Sequence, residues 1–281
     1  MIWLGVVTAF AAAFANAVAI VLQASEARAT PLEESARFAL LARLLHRPRW
    51  LLGTLLLMLG WPLQVLALAF APITVVQPVL ASFQLILLAL ARFWMKEQLT
   101  WIEVLAALAI TAGITVVIAA APQHTVSHPS ASRLAVPVAL VGVAALAVFA
   151  LSRLRGPHGV WLAVGAGLAY AWVDFANKLL SNALTAGRWL PAVLWLAGVL
   201  ALGAVAFLQE NSALQRRSPV LVAPVIGAVQ EPLPVVMALW AGVEAWTGGP
   251  GQAAALAAGL ALVGAGGVAI ARSPAVVSIT C

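Results

Sequence analysis

Charged residues are scarce in this chain of 281 residues, where Asp, Glu, Lys and Arg together make up only 9%. A soluble domain carries about 25% charged residues, so composition excludes an ordinary soluble domain. Hydrophobic residues make up 64% of the chain, and the mean hydropathy is +1.05. The sequence therefore predicts an all-α polytopic membrane protein whose main surroundings are the lipid bilayer.

Residues and motifs for catalysis or metal clusters are also missing. The chain has one cysteine, Cys281, which excludes an internal disulfide framework and a cysteine-cluster metal site. Its four histidines fall in loops or flanks without metal-ligand spacing, and neither a G-x-S-x-G elbow nor a P-loop occurs. We therefore expect no enzyme and no cofactor. The net charge of +6 lies in loops without interleaved aromatics, so nucleic acid is not an expected partner.

Apolar runs of about 20 residues, each long enough to cross a bilayer, recur along the chain. Nine can be marked, at roughly 2–24, 50–70, 71–94, 101–121, 133–151, 159–181, 188–209, 218–240 and 253–271. The first lacks a preceding Lys or Arg and is longer than a signal-peptide core, so we interpret it as an uncleaved helix. Between 36 and 45 the apolar residues are too few to span, and we expect an amphipathic interfacial helix there.

The basic residues predict the orientation. With the N-terminus outside and nine crossings, 12 of the 15 Lys and Arg residues fall on the cytoplasmic side. This asymmetry is typical of multi-pass proteins, whose cytoplasmic loops are enriched in Lys and Arg. We therefore predict a plasma-membrane protein with its N-terminus outside and its C-terminus in the cytoplasm.

A proline-bearing, amide-bearing apolar phrase occurs twice, from Ala71 to Leu99 and from Ser218 to Glu244, about 147 residues apart. The matched positions are Pro72 with Pro219, Pro78 with Pro224, and Gln84 with Gln230. The phrases predict two inverted four-helix repeats, at 1–121 and 159–281, the second ending in a short cytoplasmic tail. A polar linker and a connector helix, within 122–158, would join them. Inverted repeats around a midplane site are typical of alternating-access carriers.

The same stretch resembles a known family. The pattern A-P-x-x-x-V-x-P from Ala71, the K-E-x-L from Lys96 and Gly113 in the next helix resemble the drug/metabolite transporter superfamily, in its EamA-like form. The run WLLGTLLLMLG…ALAFAPITVVQP is most similar to the NIPA branch, whose named members transport magnesium. In the second half Gly248, Gly249 and Pro250 replace the K-E-x-L.

The resemblance implies a secondary transporter that works by alternating access and carries magnesium or another small cation. An exporter of a small organic metabolite or drug remains open, because one scaffold serves many substrates in this superfamily. A non-transporting membrane scaffold, a lipid-handling enzyme and a homodimer also remain open.

Ionisable residues inside a span are costly, at about 2.5–3.5 kcal/mol each on insertion scales, so each is a candidate for function. Asp174 lies within the sixth segment, and Lys178 follows one helical turn later. The pair is either a proton or cation site biased by Lys178, or a static ion pair. Asn177 flanks it, and Asn16 lies near the matching place in the first repeat.

The eighth segment carries a second candidate. Glu231 follows Gln230 and precedes Pro232, so a carboxylate, an amide and freed carbonyls are expected near mid-membrane. The third segment offers the amides Gln77 and Gln84. Either these groups bind substrate, with Asp174 and Glu231 as metal ligands, or Gln84 and Gln230 bond each other as structural glue.

Overall fold

A computed structural model describes residues 2–70, 79–80, 82–97, 99–120, 131–154, 158–230, 232–242 and 248–271. All regular secondary structure in these ranges is helical. In chain order the helices are α1 (Ile2–Arg28), α2 (Phe38–Leu44), α3 (Pro48–Phe70), α4 (Phe83–Phe93), α5 (Trp101–Ala120), α6 (Ala131–Leu154), α7 (Gly159–Thr185), α8 (Trp189–Arg216), α9 (Pro219–Gln230), α10 (Pro232–Ala241) and α11 (Pro250–Ala271).

Several of these helices are long and apolar enough to cross a membrane. The described residues contain six such spans, Trp3–Arg28, Ser132–Leu154, Gly159–Leu184, Trp189–Arg216, Pro219–Ala241 and Pro250–Ala269. Shorter apolar helices cover Pro48–Gly60, Phe83–Phe93 and Trp101–Val117. The chain is therefore a multi-pass membrane protein, as its composition predicts, while the count of nine crossings and the repeat stay predictions.

Two segments differ from the boundaries predicted by length. α8 continues to Arg216, seven residues beyond the predicted end at 209. The segment predicted at 218–240 consists of α9, which runs through Pro224 and ends at Gln230, and α10, which begins at Pro232. A proline suits the first position of a helix, where its missing N–H has no partner to lose. Residue 231, between the two helices, lies outside the described ranges.

The start of α5 has a local cause in the sequence. The backbone N–H of Thr100 donates to the Glu103 carboxylate at 2.8 Å, and the Glu103 N–H donates to the Thr100 hydroxyl at 3.4 Å. This reciprocal pair is a capping box, which satisfies two backbone donors that a helix start leaves without partners. It explains why Glu103 is buried and makes this acid part of the helix start.

Small residues bring α5 and α11 into close contact. A Cβ added at Gly113 would lie 2.8 Å from the carbonyl oxygen of Gly259, and one added at Gly259 would lie 3.0 Å from that of Gly113. Further along, Gly266 faces the carbonyl of Ala106, while Gln252 donates to the carbonyl of Ala120 at 3.1 Å. Numbering rises along one helix as it falls along the other, so the two are antiparallel and nearly in backbone contact.

In two other helix pairs a glycine also allows the neighbouring helix to come close. In the α1–α3 pair, a Cβ at Gly60 would lie 2.2 Å from Oδ1 of Asn16. In the α7–α8 pair, a Cβ at Gly165 would lie 1.9 Å from Oε1 of Gln209. Each glycine thus makes room for an amide side chain of the neighbouring helix. The main apolar core lies between these pairs, where α1, α4, α5, α7, α8, α9 and α11 contribute buried side chains.

The segment after α1 folds back onto the bundle. Leu40 and Leu44 of α2 are fully buried with Trp50 and Leu208, so the predicted amphipathic helix covers α8 with its apolar face. Arg153 donates to the carbonyl of Ala36 at 2.8 Å. We call the end of the bundle formed by residues 26–50, 92–97, 152–154 and 211–218 the basic end.

Candidate functional site

Asp174 and Gln230, both predicted as site residues, are joined in the structure. The Nε2 amide of Gln230, the last residue of α9, donates to Oδ2 of Asp174 in α7 at 3.0 Å. Nearby, a Cβ at Gly167 would lie 2.9 Å from the carbonyl of Ile226, so α7 and α9 run side by side in the same direction. Gln230 is half-buried and Asp174 is exposed. A carboxylate and an amide therefore meet where the eighth segment changes from α9 to α10.

Gln84 of α4 also lies beside α9. Its Nε2 would be 3.5 Å from a Cβ at Gly227, one helical turn before Gln230. The hydroxyl of Thr111 in α5 donates to Oε1 of Gln84 at 3.4 Å, a long hydrogen bond. The bonds described for the two amides thus go to different partners, Thr111 and Asp174, and not from one glutamine to the other. Gln84 belongs to the same region of α9 but is buried, with 6% of its surface exposed.

Other predicted residues of α7 follow Asp174 on the same helical face. Asn177 is exposed and Lys178 is half-buried. Residues three and four positions apart are neighbours on a helix surface, so this face continues the polar surface of Asp174 by one turn. The hydrogen bond described for Asp174 is the one from Gln230, which gives the carboxylate a neutral partner on another helix.

Asn16 occupies a different place. It is half-buried in the α1–α3 interface, where its Oδ1 faces Gly60 and has no hydrogen-bond partner among the residues that the structure covers. About two helical turns later, Gln23 donates to the hydroxyl of Thr54 at 3.2 Å. The structure therefore places Asn16 among packed helices and does not bring it to Asp174.

Two predicted residues, Gln77 and Glu231, lie outside the described residues. The predicted metal pair of Asp174 and Glu231 thus stays a prediction. Within the described ranges, no group of three or more His, Cys, Asp or Glu side chains is gathered as a metal site. The groups that the structure does bring together, Asp174 and Gln230, could contact a cation through one carboxylate and one amide oxygen.

A second intramembrane acid, absent from the sequence-based candidates, lies in α8. Glu210 is 7% exposed, and its Oε2 accepts a hydrogen bond of 2.6 Å from the hydroxyl of Tyr170, the chain's single tyrosine. Tyr170 precedes Asp174 by four residues on α7, so the two side chains are neighbours on one helix face. Asp174, Tyr170 and Glu210 therefore form a continuous row of titratable groups, which we call the acid row.

The polar residues beside Glu210 are buried as well. Trp50 donates to Oδ1 of Asn211 at 2.8 Å, and the hydroxyl of Ser212 accepts from the backbone N–H of Ala36 at 2.9 Å. Gln209 is fully buried, and neither its Oε1 nor its Nε2 has a partner in the described part of the chain. The sequence signal was present in the run QENSALQ, which contains neither proline nor glycine and can continue the helix past its apolar part.

Glu97 connects three helices at the basic end. Its Oε1 accepts from Arg28, at the end of α1, at 2.8 Å, and its Oε2 accepts from the hydroxyl of Ser218, just before α9. Arg92 of α4 donates to the backbone carbonyl of Glu97 at 3.3 Å. The carboxylate thus holds α1, the end of α4 and the start of α9 together, which closes this side of the bundle.

Comparison with known proteins finds a relative in a bacterium. The chain is 33% identical over 179 residues to an uncharacterised protein of Corynebacterium glutamicum. The similar region covers 62% of this chain and 62% of that protein. No family model matches the chain, and no solved structure does.

Proposed function

We propose that the chain is a secondary membrane transporter of the drug/metabolite type, which moves a small cation such as magnesium by alternating access. The observation that carries the proposal is the hydrogen bond between Asp174 and Gln230, which joins two apolar helices at the α9–α10 junction. Asp174 is exposed although it lies within an apolar span. Since an ionised carboxylate facing lipid is costly, its exposed side is best explained by a water-accessible cavity.

The packing of the helices supports the inverted repeat on which the proposal depends. The amide–glycine contacts of α1–α3 and α7–α8 involve Asn16 with Gly60 and Gly165 with Gln209, and both partners are shifted by the same 149 positions. The roles are exchanged, because the amide is on the first helix of one pair and on the second helix of the other. α5 and α11, the last helices of the two halves, pack on each other.

Alternating access also requires contacts that close one end of the bundle and can be broken. Glu97 makes such contacts. In the proposed orientation the basic end is cytoplasmic, and the contacts of Glu97 with Arg28 and Ser218 keep this side shut. A carrier must break such contacts when its site turns to the other side. The structure then corresponds to a state that is closed at the cytoplasmic side.

A small organic solute is the second candidate substrate. Magnesium keeps several waters and is usually held by one or two carboxylates. The contact described here combines one carboxylate with one amide, which equally suits an amine or another polar organic group. Both candidates use Asp174 as the charged contact, and they differ in the solute that is carried.

The test is flux into proteoliposomes, first of magnesium and then of a panel of organic cations, amino acids and neutral solutes. We expect flux of at least one solute, lost in Asp174→Asn and reduced in Gln230→Leu while far-UV circular dichroism is unchanged. Glu33→Gln is the matched control, because Glu33 is an exposed acid of the basic end and its variant should transport normally. Equal flux in Asp174→Asn and the native chain, or no flux of any solute, would overturn the proposal and favour a scaffold.

A further inference from the structure

Glu210 has no role in the cation contact, yet it is the most deeply buried acid of the acid row. It lies inside the apolar helix α8, six residues or about 9 Å from Arg216 at the basic end. Asp174 is 15 residues from the start of α7, or about 22 Å from the same end. The two acids therefore sit at different depths, with Tyr170 between them.

The contacts described for Glu210 do not include an ion pair. The ion pairs among the described residues use other acids, Glu26, Glu34 and Glu97. Of the helices around α8, α9 carries no charged residue. The other described charged groups on the elements around this part of α8 are Asp174 and Lys178 on α7, four residues or more from Tyr170; Glu26 and Arg28 on α1; Glu33, Glu34, Arg37, Arg43 and Arg47 on and beside α2; Arg49 on α3; Arg133 and Arg153 on α6; and Arg216 on α8 itself, six residues from Glu210. The partner described for Glu210 is the neutral hydroxyl of Tyr170.

Burying an unpaired carboxylate in a low-dielectric interior costs several kcal/mol, and such a group usually binds a proton instead. We propose that Glu210, held by Tyr170, is a proton-binding site within the bundle, and that proton binding and release at Glu210 drives the transport proposed above. Protonation forms one O–H bond on the Glu210 carboxylate with a proton taken from water, and its release returns that proton to water. The coupling part rests on the proposed function, whereas the proton site does not.

The proton site can be tested without any substrate. We expect the infrared spectrum of the purified protein at pH 7 to contain the carbonyl band of a protonated carboxyl group, which Glu210→Gln removes. Tyr170→Phe should shift that band, because it removes the hydrogen bond, and Glu33→Gln should leave it unchanged. Glutamine keeps the size of the side chain and can still accept from Tyr170, so the variant should fold. A Glu210→Gln spectrum that superimposes on that of the native chain would overturn the site. Loss of the band on adding sodium or potassium at constant pH would also overturn the proton site, because it would show that Glu210 binds a metal cation instead.

The coupling is tested in proteoliposomes with a pH gradient. Collapsing the gradient with a protonophore should reduce flux by the native chain about tenfold or more. Flux by Glu210→Gln should be lower and no longer respond to the protonophore. Flux that ignores the gradient in the native chain would refute the coupling. If no solute is carried although the carboxyl band is present and lost in Glu210→Gln, the proton site stands and the proposed function fails.

Discussion

The contact between α5 and α11 provides a test of the fold that needs no substrate. Gly259→Ala adds a Cβ that would lie 3.0 Å from the Gly113 carbonyl oxygen and 2.9 Å from Cγ2 of Val117. Because the first of these atoms belongs to the backbone, the helices must separate to accept the methyl group. Gly264, on the same helix, has no atom within 4 Å of an added Cβ, so Gly264→Ala is the matched control.

The expected difference in the free energy of unfolding has two contributions, one common to both variants and one that affects Gly259→Ala alone. Both gain about 0.5–1 kcal/mol from replacing a helix-interior glycine. Only Gly259→Ala pays for overpacking, which typically costs about 1–3 kcal/mol. The common term cancels in the difference, so we expect Gly259→Ala to be about 1–3 kcal/mol less stable than Gly264→Ala.

The assay is reversible denaturant unfolding of both variants in detergent micelles, followed by far-UV circular dichroism. Gly113→Ala should behave like Gly259→Ala, because it meets the same backbone from the other side. The double variant should lose less stability than the two single variants lose together, because helices that are already separated accept the second methyl group more easily. Equal stability of the Gly259 and Gly264 variants would refute the close contact and with it the packing of the two halves through α5 and α11.

Two further predictions concern the basic end. Trp50→Phe should destabilise the protein by about 1–3 kcal/mol, because it leaves the buried Oδ1 of Asn211 without its donor, whereas Trp189→Phe, at a site 71% exposed, should cost nothing measurable in the same unfolding assay. Glu97→Gln should weaken the closure of α1, α4 and α9 by up to about 1 kcal/mol, which, in a chain whose Cys281 is replaced by Ser, raises maleimide labelling of a Val220→Cys reporter, at a site 3% exposed, up to about fivefold. Unchanged labelling would show that Glu97 does not keep this end closed.

Composition and hydropathy were enough to predict a multi-pass helical membrane protein, because the bilayer accepts so few other structures. The sequence also identified Asp174 and Gln230 separately, as polar groups within apolar segments. It could not show that they bond to each other. That contact depends on how α7 and α9 are aligned along their lengths, which is set by packing at positions such as Gly167 and Ile226.

Asn16 was also identified separately, and the structure places it away from the contact of Asp174 with Gln230. A polar residue within a span is a candidate for function by default, yet here the amide fills the space beside Gly60. The sequence contains the glycine as well, but nothing in a single helix tells which residue of its neighbour it will face. Only the pairing of α1 with α3 shows that this amide packs against a glycine.

Glu210 was missed because the segment boundaries were predicted from the number of apolar residues alone. About 20 apolar residues cover the hydrocarbon core, so a span counted from residue 188 ends near 209 and leaves Glu210 in a loop. α8 instead continues to Arg216, and its last turns are buried by α2 and the segment after α1. A polar residue at the end of a span is exposed only if no other part of the chain covers it. Here α2 and the segment after α1 cover the face of α8 that carries Leu208 and Asn211, while Tyr170 of α7 bonds Glu210 on the opposite face, so the helix end is buried on both sides and Glu210 becomes a proton-binding candidate.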